Sequence, residues 1–262
     1  ILFNEPVSLA SSQQPANYEV SNGIGFPLSA TRDPLNPAKV RLVFTNSFPI
    51  RTNLSVQVNA VADLAGNTIS PASVNFSYVI ALPYDILVDE LMADPSPPVA
   101  LPEYEWVELT NTSVFDINLK GWRLQKPTSQ SGPMPEYILK PDSFVIVCAA
   151  GAATAMSAYG PVISLSSFPS LANTGDEISL LSDEGKTIHT VNYSDEWYQN
   201  ELKKAGGWSL EMVDTGNPCT GFSNWAASSG INGGTPGKRN AAAGVNADTV
   251  SPKLMRAYAT DS

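Results

Sequence analysis

The sequence predicts an all-β chain: two β-sandwich domains in series, followed by one further C-terminal strand. Three observations carry that expectation. Short runs that alternate apolar and polar residues recur at roughly ten-residue spacing, as strands around a shared core do. Pro (21) and Gly (18) punctuate them, and that density suits turns and short strands better than long helices. Charged residues make up only 15% of the 262 positions while 43% are apolar, which gives each half enough material for a buried core.

Residues 1–80 are expected to form the first domain. Ile1-Leu2-Phe3 reads as a strand end, closed by Asn4-Glu5-Pro6. Asn17–Val20 follows as a second strand. Val40-Arg41-Leu42-Val43-Phe44 alternates as a half-buried strand should, and Leu54 to Val61 alternates over a longer run. Asp63-Leu64-Ala65-Gly66-Asn67 has turn chemistry, since Gly and Asn accept positive φ. Val74-Asn75-Phe76-Ser77-Tyr78 closes the module.

After a short linker, Leu82-Pro83-Tyr84, residues 85–240 carry a second set of strands. These are Ile86–Leu91, Glu105–Thr110, Trp122–Leu124, Ser143–Cys148, Glu177–Leu181 and Thr187–Tyr193. Val145 to Ala149 is apolar throughout, which places it in a sheet covered on both faces. Ala152–Tyr159, rich in Ala and Met, is the one short helix expected. Residues 241–262 change character: Ala241 to Gly244 reads as a flexible linker, and 250–262 as the opening strand of a further module.

Bulk properties exclude several function classes. A net charge of −10 opposes binding to a polyanion, so no nucleic-acid partner is expected. No apolar run reaches the ~20 residues of a membrane helix, so no membrane insertion is expected from these residues. One histidine and two cysteines without a CxxC spacing give no zinc set. Cys148 and Cys219 form either one disulfide, in an oxidising compartment, or two buried thiols.

The acidic group Asp89, Glu90, Asp94, Glu103, Glu105 and Glu108 is the sharpest candidate for chemistry. Strand alternation puts Glu105 with Val107 on one face and Trp106 with Glu108 on the other. Paired carboxylates can serve a glycosidase as acid and base. The sequence shows no long catalytic loops, however, and hydrogen bonding of Glu108 and Asn111 to backbone turns is the expected role. No catalytic residue is assigned. Calcium is the single cofactor considered, since it takes oxygen ligands from acids and carbonyls. Its first candidate ligands are Asp89, Glu90 and Asp94, or Asp63 and Asn67, with Asp176-Glu177 and Asp195-Glu196 behind them.

His189 lies in an alternating strand and is expected to face solvent. Of the five tryptophans, Trp106, Trp122 and Trp208 are expected in the core. Trp197 and Tyr198, flanked by polar residues, are the candidate binding aromatics. Gly233-Gly234-Thr235-Pro236-Gly237 lacks the spacing of a phosphate loop and reads as a closing turn.

Several ordered blocks together resemble a bacterial lamin-tail domain over residues 85–240. They are Asp89-Glu90-Leu91-Met92-Ala93-Asp94-Pro95, Glu105-Trp106-Val107-Glu108-Leu109-Thr110-Asn111, Ile117 to Trp122 and Gly175-Asp176-Glu177-Ile178. Leu139-Lys140-Pro141-Asp142, Gly207-Trp208-Ser209-Leu210-Glu211, Asn224-Trp225 and Gly233 to Asn240 complete the set. Phe3-Asn4-Glu5-Pro6-Val7, Asn17-Tyr18 and Val61 to Asn67 resemble a bacterial Ig-like module of exported repeat proteins. The resemblances imply two immunoglobulin-like sandwiches. They imply a non-catalytic, extracellular structural or interaction module of a larger multidomain surface protein, adhesive or ligand-presenting. The alternative is a carbohydrate-binding accessory module of a secreted hydrolase. Expected partners are other domains of the parent, a surface protein or a glycan. Ig-like modules begin with a strand not seen before Ile1, and residues 250–262 resemble it. Strand exchange through 250–262, within a chain or between chains, is therefore expected.

Overall fold

The computed structural model describes residues 1–247 together with Thr249 and Ser251. The chain is all-β and divides into two compact units, Ile1–Ile80 and a second that starts at Ala81.

The first unit contains β1 (Tyr18–Val20), β2 (Ser29–Arg32), β3 (Val40–Val43), β4 (Asn53–Val58) and β5 (Ala72–Ser77). They make two antiparallel sheets, ordered β1-β4-β5 and β2-β3. On β4 the alternation is clean: Leu54, Val56 and Val58 face inward, with Asn53 and Gln57 exposed. These side chains share one core with Tyr18, Val20, Ala30 and Val40, so the sheets pack face to face. Buried Tyr18 satisfies its hydroxyl by donating to Ser12 O at 2.8 Å. Ser12 ends a one-turn helix, α1 (Leu9–Ser12), which Ser8 caps through its Oγ. Neither α1 nor β2 is signalled by the sequence pattern.

The second unit contains β6 (Ile86–Met92), β7 (Trp106–Asn111), β8 (Ile117–Asn118), β9 (Arg123–Lys126), β10 (Ser129–Gln130) and β11 (Ile138–Leu139). It continues with β12 (Phe144–Ala149), β13 (Val162–Leu165), β14 (Gly175–Leu181), β15 (Thr187–Ser194), β16 (Leu210–Met212) and β17 (Trp225–Ala227). Six strands form one sheet, β13-β12-β7-β6-β16-β17, antiparallel except for the β12/β13 pair. Four form a second, β10-β9-β14-β15, and β8 pairs with β11. The two larger sheets make an immunoglobulin-like sandwich.

β6 and β7 are buried at every position, so the six-stranded sheet is covered on both faces. One face meets the four-stranded sheet through β15. On the other, Met92, Trp106, Ile146 and Cys148 pack with Ala152 and Met156. The last two belong to a 3₁₀ turn, Ala150–Ala152, and to α2 (Ala153–Met156), a shorter version of the expected helix. A further turn, α3 (Glu201–Lys204), is capped by Asn200 Oδ1. Among the described residues no helix is long and apolar enough to cross a membrane.

Three features of the structure differ from the sequence expectation. His189 is buried at 2% exposure. Leu180 pairs with His189 and Leu181 with Thr187, leaving Ile188 as an extra residue in a bulge. His189 shares its buried face with Val191 and Tyr193, and the bulge turns its neighbour Ile188 inward as well. The cysteines are unbridged, Cys148 in the core and Cys219 exposed, so neither the disulfide nor the pair of buried thiols holds. The stretch read as a linker is hydrogen-bonded to the second unit, with Ala242, Gly244 and Asn246 donating to Glu211, Val213 and Asp214. The strand expected at 250–262 lies outside the described residues.

Candidate functional site

Three carboxylates stand in a row across the six-stranded sheet of the second unit. The register pairs Glu90 of β6 with Glu108 of β7 on one side and with Glu211 of β16 on the other. Directly paired residues share a face, with Cβ atoms about 5 Å apart. A bulge explains how adjacent acids reach one place. Val88 pairs with Leu109 and Glu90 with Glu108, so Asp89 is the extra residue of β6. Glu90, Glu108 and Glu211 are wholly buried, and Asp89 is 2% exposed. No lysine or arginine is paired with them among the described residues.

The donors come from Ser209 and from the closing segment. Glu90 Oε1 accepts from the Ser209 hydroxyl at 2.6 Å and the Thr235 N–H at 2.7 Å. The Thr235 hydroxyl lies 2.7 Å from Glu211 Oε1 and 3.3 Å from Glu90 Oε2, bridging the two. Ala242 N–H donates to Glu211 Oε2 at 2.7 Å, and Gly237 N–H donates to Glu108 Oε2. Asn240 Nδ2 donates to the carbonyls of Asp89 and Met212. Thus Thr235 to Ala242 is tied to the sheet through its acids and carbonyls. Asp89 Oδ1, Glu108 Oε1 and Asn240 Oδ1 are buried without a hydrogen-bond partner.

Electrostatics favour protons in this row. Burial, and then the charge of Glu211, pushes the Glu90 carboxyl up to about 8. Burial first, and then neighbouring acids, holds Asp89 and Glu108 well above the usual carboxylate range. A protonated carboxyl also fits the Thr235 bridge. A hydroxyl has one proton to give, so one of its two acid neighbours must donate to it. Beside the row opens a cavity of about 670 Å³ with a mixed lining, which includes Asp89, Asn111, Asp214 and Arg239 together with Phe144 and Met212.

The other sequence candidates are elsewhere or engaged. Glu108 shares a face with Trp106 and bonds to a turn, as alternation predicts. Asn111 Nδ2 donates to Phe115 O and Leu139 O, both at 2.8 Å. Glu105 accepts from Ser170 and Leu171, away from the row. Asp94 lies near Tyr198, so the structure groups Asp89 and Glu90 with Glu108 and Glu211 instead. Asp63 accepts from Ala65 N, Asn67 N and Asn67 Nδ2, each at 2.8 Å, and closes its own turn. Among the described residues no three acid, histidine or cysteine side chains are arranged to hold a metal ion.

Trp197 and Tyr198 are corrected as candidate binding aromatics: they are 8% and 4% exposed. Trp197 packs on Trp225, and the Tyr198 hydroxyl donates to Trp208 O at 2.9 Å. Trp208, expected in the core, is half-buried with the Lys203 ammonium 4.4 Å above its ring.

Sequence reasoning missed Glu211 and the role of Thr235 to Asn240. A signal was present: Glu108 sits between Val107 and Leu109, and Glu211 between Leu210 and Met212. An acid flanked by apolar residues in a strand covered on both faces has no route to solvent.

Residues 82–195 match the Lamin Tail Domain family. That stretch spans β6 to β15 and carries Asp89, Glu90 and Glu108; Glu211 and the closing segment follow it. No curated protein matches the chain.

Proposed function

We propose that the chain is a non-catalytic structural and interaction module of a larger multidomain extracellular protein. One observation carries the reading: the acid row, the best candidate for chemistry, is wholly buried and bonded to the chain's own closing segment. Paired acids in this position lock the closing segment onto the sheet. The resemblance of residues 1–80 to Ig-like modules of exported proteins supports the extracellular, multidomain setting. The carbohydrate-binding alternative rested on Trp197 and Tyr198, and their burial removes its support.

The test has two parts. A panel of glycoside and ester substrates is assayed with the chain and with Glu108→Gln. No turnover is expected; turnover that the substitution abolishes overturns the reading. A glycan array is expected to give no hit, and saturable binding to one sugar class restores the alternative.

A further inference from the structure

The cavity beside the acid row holds polar groups that the fold leaves unmet. It opens on the row's own face: Thr110 lies two residues beyond Glu108 on β7, and Phe144 of β12 pairs with Thr110. The closing segment lines it too, through Asn240 and Ala243 to Val245. Its volume of about 670 Å³ suits a small ligand.

Two lining side chains, Asp89 and Asn240, are 2% and 8% exposed, and the Oδ1 of each has no hydrogen-bond partner. For Asn240 the group it lacks is a donor. Its Nδ2 gives its protons to Asp89 O at 2.9 Å and Met212 O at 3.0 Å. That fixes the amide's orientation, and Oδ1 can only accept. Asp89 is the bulge residue of β6, and an ionised carboxylate likewise only accepts. A buried acceptor left unmet costs free energy, so a donor brought to these two oxygens is favoured.

Charge selects the kind of donor. Among the described lining residues three are acids, Asp89, Asp142 and Asp214, against one base, Arg239. The N–H groups of Asn246 and Gly216 hold the Asp214 carboxyl below the usual carboxylate range. Phe144 and Met212 add apolar wall. We propose that the cavity binds an alkyl ammonium, the group shared by a lysine side chain and a free alkylamine. The ammonium donates to Asp89 Oδ1 and Asn240 Oδ1, and its methylenes lie against Phe144 and Met212. Burial, and then Glu90 and Glu211, favours the protonated form of Asp89. A cation at hydrogen-bond distance favours the charged form, so the Asp89 proton passes to solvent as the ligand binds. The proposal gives the interaction module a ligand and rests on that reading.

The experiment is an NMR titration of the full chain at pH 8, following the side-chain amide of Asn240. Pentylammonium is expected to bind saturably and to shift that amide. Pentanol, its uncharged match, is expected to bind about tenfold more weakly or less. Asp89→Asn is expected to erase the difference between the two ligands, which a mere loss of stability does not imitate. Ala243→Trp adds bulk to the cavity wall, leaves Asp89 in place and is expected to weaken pentylammonium. Nα-acetyl-lysine N-methylamide distinguishes the source: tighter binding than pentylammonium means a lysine of a partner protein, weaker binding a free alkylamine. The proposal is overturned by pentylammonium that does not bind saturably, by pentanol that binds as well, or by a preference for the ammonium that survives Asp89→Asn. None of these results depends on turnover, whose appearance overturns the non-catalytic reading instead.

Discussion

Glu90 faces an acid on each side, Glu108 and Glu211, and like charges directly opposite one another destabilise a sheet. Protonation resolves the conflict, and it has a direction in pH. Glu90 titrates near 8 in the folded protein against 4.5 as a free side chain. Its contribution to stability is complete below about 4.5 and is lost as pH rises through about 8. The melting temperature of the second unit is therefore expected to fall between pH 5 and pH 9, and Glu90→Gln is expected to flatten that slope. A bound cation would neutralise the row instead. Millimolar calcium raising the melting temperature at pH 8, with EDTA reversing it, would sink the proton explanation. His189 acts in the opposite sense. Its Nδ1 accepts from Val88 N–H at 2.9 Å, and burial lowers its titration from 6.5 to about 4. A depressed histidine stabilises above about 6.5 and loses that contribution as pH falls toward 4. His189→Asn keeps an acceptor near the Nδ1 position, so melting below pH 6 is expected to lose its acid decline while melting at pH 7 changes little. The inward turn of His189 follows the alternation it shares with Val191 and Tyr193; the bulge that also buries Ile188 is a property of the pairing with β14, and it hid that phase in the sequence.

The closing segment is held by few but well-placed donors. Gly237 combines φ of +81° with an N–H given to Glu108, and a Cβ there would lie 2.2 Å from Tyr159 O. Gly237→Ala is expected to lower stability by at least about 2 kcal/mol, from the left-handed backbone and the clash together. Thr235→Val removes the hydroxyl between Glu90 and Glu211 and is expected to cost roughly 1–3 kcal/mol. Urea midpoints measure both. The Thr235 loss should be larger at pH 8 than at pH 5, where a protonated Glu90 can still donate to Glu211; an equal loss at both would contradict the shared-proton arrangement. The strands legible in advance are those long enough to alternate or to stay apolar, such as Val145 to Ala149 and Leu54 to Val58. Leu210–Met212 and Trp225–Ala227 have three residues each, too few for a period to show. They are strands because β6 offers them an edge, which no local sequence pattern reports. The acid row inherits that limit: Asp89, Glu90 and Glu108 were legible as acids in apolar strands, but their meeting with Glu211 depends on β16 pairing.

Each unit has a core of its own. Leu54 is 1% exposed among the apolar residues of the first unit, and Leu124 is fully buried on β9 of the second. Neither side chain contributes to the other unit's core, so each core is expected to melt as one cooperative body. Large-to-small changes in a core remove transfer energy and leave a cavity, typically about 2–5 kcal/mol for leucine to alanine. Scanning calorimetry of Leu54→Ala should lower one transition and leave the other in place, and Leu124→Ala should do the reverse. The pH dependence assigns them independently. The acid row and His189 both belong to the second unit, so the transition that Leu124→Ala lowers should be the one that weakens between pH 5 and pH 9. A single transition that both substitutions lower equally would mean that the cores do not act separately. In that case the pH effect, too, would belong to the chain as a whole and could not be placed on the row of Glu90, Glu108 and Glu211.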